Sequence, residues 1–244
     1  MDRALTENEA AHERAVKEMF AAISGRYDLL NHVLSLNIDR TWRRKVRRQL
    51  ADILDRPNAL ILDVACGTGD LALELQKDCA ATIVATDFCR PMLTIAKEKS
   101  KIQNPKSKID LVESDAMKLS FPDDTFDAIT IAFGLRNLPN YGDGLRELCR
   151  VLKPGGKLVI LDCSHPRVPV FRELYDLYFY RVLPRIGGIV SGSRAAYTYL
   201  PSSVAKFPDQ KTLASMMRSA GFSDVSFRSL TGGIAALHSG LKTG

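Results

Sequence analysis

An apolar run ending in Asp63-Val-Ala-Cys-Gly67-Thr-Gly69-Asp70 offers a ligand two things, a carboxylate and a turn whose glycines let the backbone approach where a side chain would collide. The helical stretch that follows adds unpaired N–H groups. Two further acids fall at matching points: Asp87 closes a second apolar run, and Asp115-Ala116 follows a third. An acid at the end of a second strand suits a pair of ribose hydroxyls. A carboxylate beside a backbone N–H can read the amino group and ring nitrogen of an adenine edge. The chemistry indicated is recognition of a nucleoside. Because Gly67-x-Gly69-x-x-Ala72 also satisfies the dinucleotide fingerprint, a nicotinamide or flavin enzyme is a rival reading. Asp63, four residues ahead of Gly67, separates the two, since it would repel a pyrophosphate and pair with a ligand ammonium. S-adenosylmethionine has an ammonium and no phosphate, which makes it the expected cofactor, with Asp63, Gly67, Asp87, Asp115 and Ala116 around it.

The elements that must position these residues follow from periodicity. Residues 60–64, 83–85, 109–112, 126–132 and 157–161 are short apolar runs bounded by turn residues and separated by helical stretches, the pattern of βαβ units in a parallel sheet. Each acid then lies at the carboxyl end of a strand, where open α/β sheets bind their ligands. Ahead of the sheet, residues 1–55 read as a helical cap, with Val16, Phe20 and Ile23, then Trp42, Val46, Leu50 and Ile53, at helix spacing. After the core of residues 59–164 comes an irregular, aromatic-rich insertion at 166–207. A last helix at 209–220 follows, with Asp209 as N-cap and Gly221 as stop, and two antiparallel strands near 225–230 and 234–238 close the chain. The expectation is one doubly wound α/β domain.

The order Asp63-Val-Ala-Cys-Gly-Thr-Gly, Asp87, Asp115-Ala116 and Leu152-Lys-Pro-Gly-Gly156 resembles the class I S-adenosylmethionine-dependent methyltransferases, whose mostly parallel, seven-stranded, Rossmann-like sheet ends in a reversed hairpin. Arg26-Tyr-Asp-Leu-Leu-Asn31, Phe133-Gly-Leu-Arg-Asn137, Leu183-Pro-Arg-Ile-Gly187, Tyr197-x-Tyr-Leu200 and Phe207-Pro-Asp-Gln210 are similar, within that class, to the ubiquinone/menaquinone biosynthesis C-methyltransferase family, from about Val16 to Lys242. The resemblance implies methylation of a ring carbon on a polyprenylated quinol, demethylmenaquinol ahead of a benzoquinol precursor of ubiquinone. Carried over by position, it implies cofactor contacts at Thr68, Asp87 and the Asp115-Ala116 pair. Ala132 stands where many members carry Ser, so a hydroxyl contact is absent there. Asp162 and His165 stand where relatives commonly carry Glu and Lys.

For such an acceptor the catalytic candidates are Arg136 and Asn137. A quinol carbon becomes nucleophilic when the neighbouring hydroxyl ionises, and a free phenol does so only near 10. Arg136 is expected to stabilise the developing anion while Asn137 orients the ring oxygen, and His165 is a candidate proton acceptor. No metal is required. The five cysteines are scattered without a paired spacing, so neither a disulfide framework nor a zinc site is signalled.

No apolar run reaches the roughly 18 residues of a membrane span, and a cytoplasmic protein is expected. The net charge of +6 concentrates in Arg40, Arg43, Arg44, Lys45, Arg47 and Arg48. That cluster reads as a solvated helix face or as a peripheral contact with anionic lipid, which the substrate's tail would make sensible. The aromatic run Phe171, Tyr175, Tyr178, Phe179 and Tyr180 reads as a quinol lid or as lid packing. A nucleic-acid methyltransferase ranks low because an Asn/Asp-Pro-Pro-Tyr loop is missing after the fourth strand, where Gly134-Leu-Arg-Asn-Leu-Pro139 stands. A non-catalytic scaffold ranks low because the glycine turn and acids are intact. A homodimer is left open.

Overall fold

The computed structural model describes residues 6–35, 37–103, 109–164 and 194–244. Strands β1 (Leu60–Val64), β2 (Thr82–Asp87), β3 (Ile109–Glu113), β4 (Phe126–Ala132), β5 (Leu152–Cys163), β6 (Phe222–Leu230) and β7 (Ala235–Lys242) form one seven-stranded sheet. Their order is β3-β2-β1-β4-β5-β7-β6; β1 to β5 run parallel, and β7 lies antiparallel between β5 and β6. The expected doubly wound sheet with a reversed final hairpin is therefore present. The strand order reverses at β1, with β2 and β3 laid down on one side of it and β4 and β5 on the other, and such switch points are where open α/β sheets form ligand crevices.

Apolar residues on alternate sides of the central strands build two layers of core. Ile61, Ile83, Val159 and Leu161 pack toward Trp42, Val46, Leu50 and Leu75, while Leu62, Ile129, Ile131 and Ile160 pack toward Leu145, Leu148, Leu213 and Met217. Burial on both faces explains why these strands read as continuous apolar runs. Helices α3 (Ile38–Gln49) and α5 (Asp70–Leu75) cover the first side, and α7 (Tyr141–Val151) and α9 (Gln210–Ser219) the second. Between them in the chain lie α4 (Ala51–Leu54), α6 (Arg90–Gln103) and α8 (Arg194–Lys206). Ahead of them α1 (Glu7–Ile23) starts at a capping box, in which Thr6 Oγ1 accepts from the Glu9 N–H while Glu9 accepts from the Thr6 N–H, and α2 (Tyr27–Ser35) follows. Asp209 caps α9 as expected, accepting from the Thr212 N–H at 2.8 Å.

Two expectations change. The hairpin strands are longer than expected, β6 starting at Phe222 and β7 running on to Lys242, because the ladder continues through the pairs Phe222 with Lys242, Ser223 with Leu241 and Lys157 with Leu241, across serine and glycine positions that carry no apolar signal. The basic helix α3 is also not a uniformly solvated face. Arg43 is buried, bound to Asp39 at 2.7 Å and Asp70 at 3.3 Å, and Arg47 donates to the Lys77 carbonyl oxygen. Arg40, Arg44 and Arg48 stay exposed, one helical turn apart on one stripe. The insertion is described only from 194 onward, so the aromatic run at 171–180 and His165 lie outside the described residues.

Candidate active site

The carboxyl ends of β1, β2 and β4 open into a solvent-connected cleft, the place where open α/β sheets bind their ligands. Its base is the glycine turn. Gly67 lines the cleft with a φ of 55°, and Gly69 at 81° ends the turn at the start of α5, where an added Cβ would lie 3.1 Å from that of Ala96. Two residues with side chains share this left-handed region on the wall, Ala65 after β1 (52°) and Phe133 after β4 (57°). Strain of this kind is held only where the surroundings over-determine it, and it clusters at functional sites. Between them Gly134 is required by contact, since a Cβ there would come within 2.6 Å of Ala65 Cβ.

Asp87, Asp115, Ala116, Gly67 and Asn137 meet in this cleft. Asp87 accepts from the Gly67 N–H and the Cys89 N–H, both at 2.8 Å, so it ties the end of β2 to the glycine turn. Burial raises its pKa, and the Cys89, Gly67 and Phe88 backbone N–H groups together with Lys17 pull the other way. Asp115 accepts from the Met117 N–H at 2.8 Å, which fixes its carboxylate beside Ala116.

Three predicted residues stand behind the wall. Asp63 is buried, accepts from Thr130 Oγ1 at 2.8 Å, and leaves Oδ2 without a hydrogen bond of normal geometry among the described residues. Burial raises its pKa from 3.8 to about 7, with the Thr130 hydroxyl and the Ala72 backbone opposing. Thr68 donates to Asp28 Oδ1 at 2.5 Å and accepts from Lys99 Nζ at 3.3 Å. Arg136 is buried in an ion pair with Asp162 at 2.9 Å and donates to the Phe133 carbonyl oxygen at 2.5 Å. Burial works against its charge, yet Asp162 outweighs that and holds the guanidinium charged. Its Nε has no partner among the described residues.

The N-terminal cap supplies what sequence reading missed. Glu13 and Phe20 from α1 and Tyr27 from α2 line the cleft, the two rings meeting edge to face at 5.8 Å. Glu13 is raised by burial and by Asp115. Phe20 was legible as an apolar position on α1, but nothing local shows that its side of the helix covers a ligand. Among the described residues the charged groups on the wall are Glu13, Asp87 and Asp115, with no lysine, arginine or histidine beside them. A pyrophosphate would meet only like charge there, whereas a sulfonium or ammonium would meet its opposite.

Fold and site together define a class I methyltransferase. Among solved structures, one described as a SAM dependent methyltransferase from Aquifex aeolicus superposes with a TM-score of 0.58 at 20% identity, over 82% of this chain and 88% of that one. The chain belongs to the ubiE/COQ5 methyltransferase family, whose model matches residues 8–242. A demethylmenaquinone methyltransferase of Deinococcus radiodurans is 48% identical over 94% of this chain and 93% of its own length. A ubiquinone/menaquinone biosynthesis C-methyltransferase of Geotalea daltonii is 44% identical over 93% of this chain and 96% of its own.

Proposed function

We propose that the enzyme methylates a ring carbon of demethylmenaquinol with S-adenosylmethionine, the single supporting observation being a cleft at the strand carboxyl ends whose charged groups, among the described residues, are all acids and whose lining includes Asn137. When bound, S-adenosylmethionine supplies an electrophilic methyl group on a sulfonium. Asp87 would accept from the ribose hydroxyls, and Asp115 with the Ala116 N–H would hold the adenine edge. Asp63 and Thr68 act one layer back, setting the field and shape of the glycine turn. Phe20, Tyr27 and Phe133 keep water away, which strengthens every charge interaction inside. At the rim, Asn137 binds the acceptor's ring oxygen while the positive charge of Arg136, from behind the wall, favours its phenolate form. Alignment for an in-line displacement then completes the protein's part, and the ring carbon sheds its proton to regain aromaticity. The naphthoquinol acceptor is favoured by the relatives' names.

The same acceptor brings the enzyme to a bilayer. No helix among the described residues is long and apolar enough to cross a membrane, so contact would be peripheral. The exposed stripe Arg40, Arg44 and Arg48 suits anionic headgroups, each cation adding about 1 kcal/mol near the surface.

Incubating the protein with S-adenosylmethionine and a short-tailed demethylmenaquinol, beside the matching benzoquinol, tests the proposal by mass spectrometry. Methylation on carbon of the naphthoquinol supports it; methylation of only the benzoquinol moves the acceptor, and tighter calorimetric binding of NAD than of S-adenosylmethionine would overturn the cofactor.

A further inference from the structure

Asn137 lines the cleft alongside other polar residues, Ser114 and Tyr27, and its hydrogen-bond partners fix which end of its amide faces where. Nδ2 lies 3.2 Å from the Phe133 carbonyl oxygen. A carbonyl oxygen only accepts, so the nitrogen end must be on that side. Oδ1 then faces Tyr199 of α8, whose hydroxyl donates to it at 3.0 Å. The main-chain oxygen of Asn137 is held as well, by His12 Nε2 of α1 at 3.2 Å. One Nδ2–H is thereby left uncommitted among the described residues, on a side chain that lines the cleft.

The Phe133 contact alone is a weak anchor. Arg136 Nη1 donates to the same carbonyl oxygen at 2.5 Å, so the neutral amide shares that acceptor with a charged donor whose bond is the stronger. Without Tyr199 the amide would keep one long, shared hydrogen bond and would turn over readily. Its oxygen would then face the acceptor for part of the time.

We propose that Tyr199 is a positioning residue for methyl transfer: its hydroxyl pins the Asn137 amide so that an N–H, and not the oxygen, meets the acceptor's ring oxygen. This rests on the reading of the acceptor as a quinol, because a phenolate needs a donor and is repelled by an amide oxygen. The groups facing Tyr199 are Arg136 in the turn after β4, Tyr141 on α7, Asp162 on β5 and His12 on α1. Burial pushes the Tyr199 hydroxyl up to about 12 against the pull of Arg136, with Tyr141 and Asp162 adding to the rise. Tyr199 therefore keeps its proton, and remains a donor, throughout the range in which a quinol would be assayed.

Tyr199→Phe removes the hydroxyl and keeps the ring. Turnover of short-tailed demethylmenaquinol at saturation should fall about 10- to 100-fold, while the calorimetric affinity for S-adenosylmethionine and the unfolding midpoint stay near the parent's. The rising limb of kcat against pH should move upward by about one unit for each tenfold loss, since a less stabilised phenolate needs higher pH. In an Asn137→Ala background the same substitution should cost nothing further. Asn137→Asp, which has oxygen at both ends, should lose at least as much kcat with Tyr199 in place. A parental kcat in Tyr199→Phe or in Asn137→Asp, or an equal loss with and without Asn137, would overturn the proposal. A parent protein that does not methylate quinol at all would instead overturn the reading beneath it.

Discussion

Solvent reaches only 7% of the Arg136 side chain and 2% of that of Asp162, so substituting one partner strands a charge. Leaving a buried charge unpaired costs about 3–5 kcal/mol. For a fold whose whole stability is about 5–15 kcal/mol, that is a large fraction. Arg136→Met should therefore lower the unfolding midpoint by roughly 6–20 °C at about 2–4 °C per kcal/mol, and any activity loss in that variant alone is ambiguous. The partner substitution must respect the other duties of Asp162, which accepts from the Arg136 N–H at 3.1 Å and the Cys163 N–H at 2.8 Å. Asp162→Asn keeps one accepting oxygen and removes the charge. The double variant Arg136→Met/Asp162→Asn should recover stability to within about 2 kcal/mol of the parent. Urea unfolding can be followed by the fluorescence of Trp42, the chain's single tryptophan, which contacts the site through Phe133 with ring centroids 5.9 Å apart. Folded in this way, the double variant should still turn over about 10²-fold more slowly with S-adenosylmethionine affinity retained, because the charge behind the phenolate is gone. Single variants as stable as the parent would refute the energetic argument. A double variant with parental kcat would reduce Arg136 to a tie that closes the turn.

Asp63, raised to about 7 in the fold, keeps a proton that the unfolded chain releases near 4, so its share of stability falls as pH rises through that window. Asp63→Asn should gain on the parent between about pH 4 and 7, by at most about 4 kcal/mol, and a stability difference that is flat with pH in urea titrations would contradict this. Gly134→Ala would force a Cβ to 2.6 Å from Ala65 and 3.0 Å from Ile131 Cγ1, an overpacking cost of about 1–3 kcal/mol. Because Ala65 lines the cleft, its S-adenosylmethionine affinity should fall too, and a variant with parental affinity and stability would show that the wall yields. Reversing Arg40, Arg44 and Arg48 to Glu should abolish salt-sensitive flotation with anionic vesicles, whereas equal binding of the parent to neutral vesicles would remove the lipid reading.

What the sequence made legible was local. The glycine turn with Asp87 and Asp115 could be read because each strand end and its loop are contiguous, and the parallel order then brings those ends to one edge. Arg43 shows where that reading stops. Its neighbours in the chain make it one cation in a solvated run, yet Asp39 one turn earlier and Asp70 on another element draw it inside. Glu13 and Tyr27 were invisible as cleft residues for the same reason, since helix periodicity marks the stripe that faces the core and not what lies over a ligand. Asp63 was expected to pair with a ligand ammonium, yet it stands behind the wall on Thr130, a pairing that depends on β4 lying next to β1 and so leaves no local signal.

The cap and the cofactor floor are joined through charge, which explains how residues so far apart in sequence share one cleft. Starting on α2, Asp28 binds Lys99 of α6 at 2.8 Å, and Lys99 binds Asp70 of α5. Asp70 binds Arg43 of α3, Arg43 binds Asp39, and Asp39 accepts from Ser35 Oγ back on α2 at 2.7 Å. The circuit closes on the helix where it began, and Thr68 of the glycine turn is bound to two of its members, Asp28 and Lys99. Such partly buried networks are weak sources of net stability, but each member needs its partners in place. Their effect here is register: α2 can sit over the glycine turn in the one position that satisfies Asp28, and that position brings Tyr27, its neighbour in the chain, to the cleft. Thr68 thus shapes the site by anchoring the cap that covers it, with its hydroxyl committed to Asp28 and Lys99.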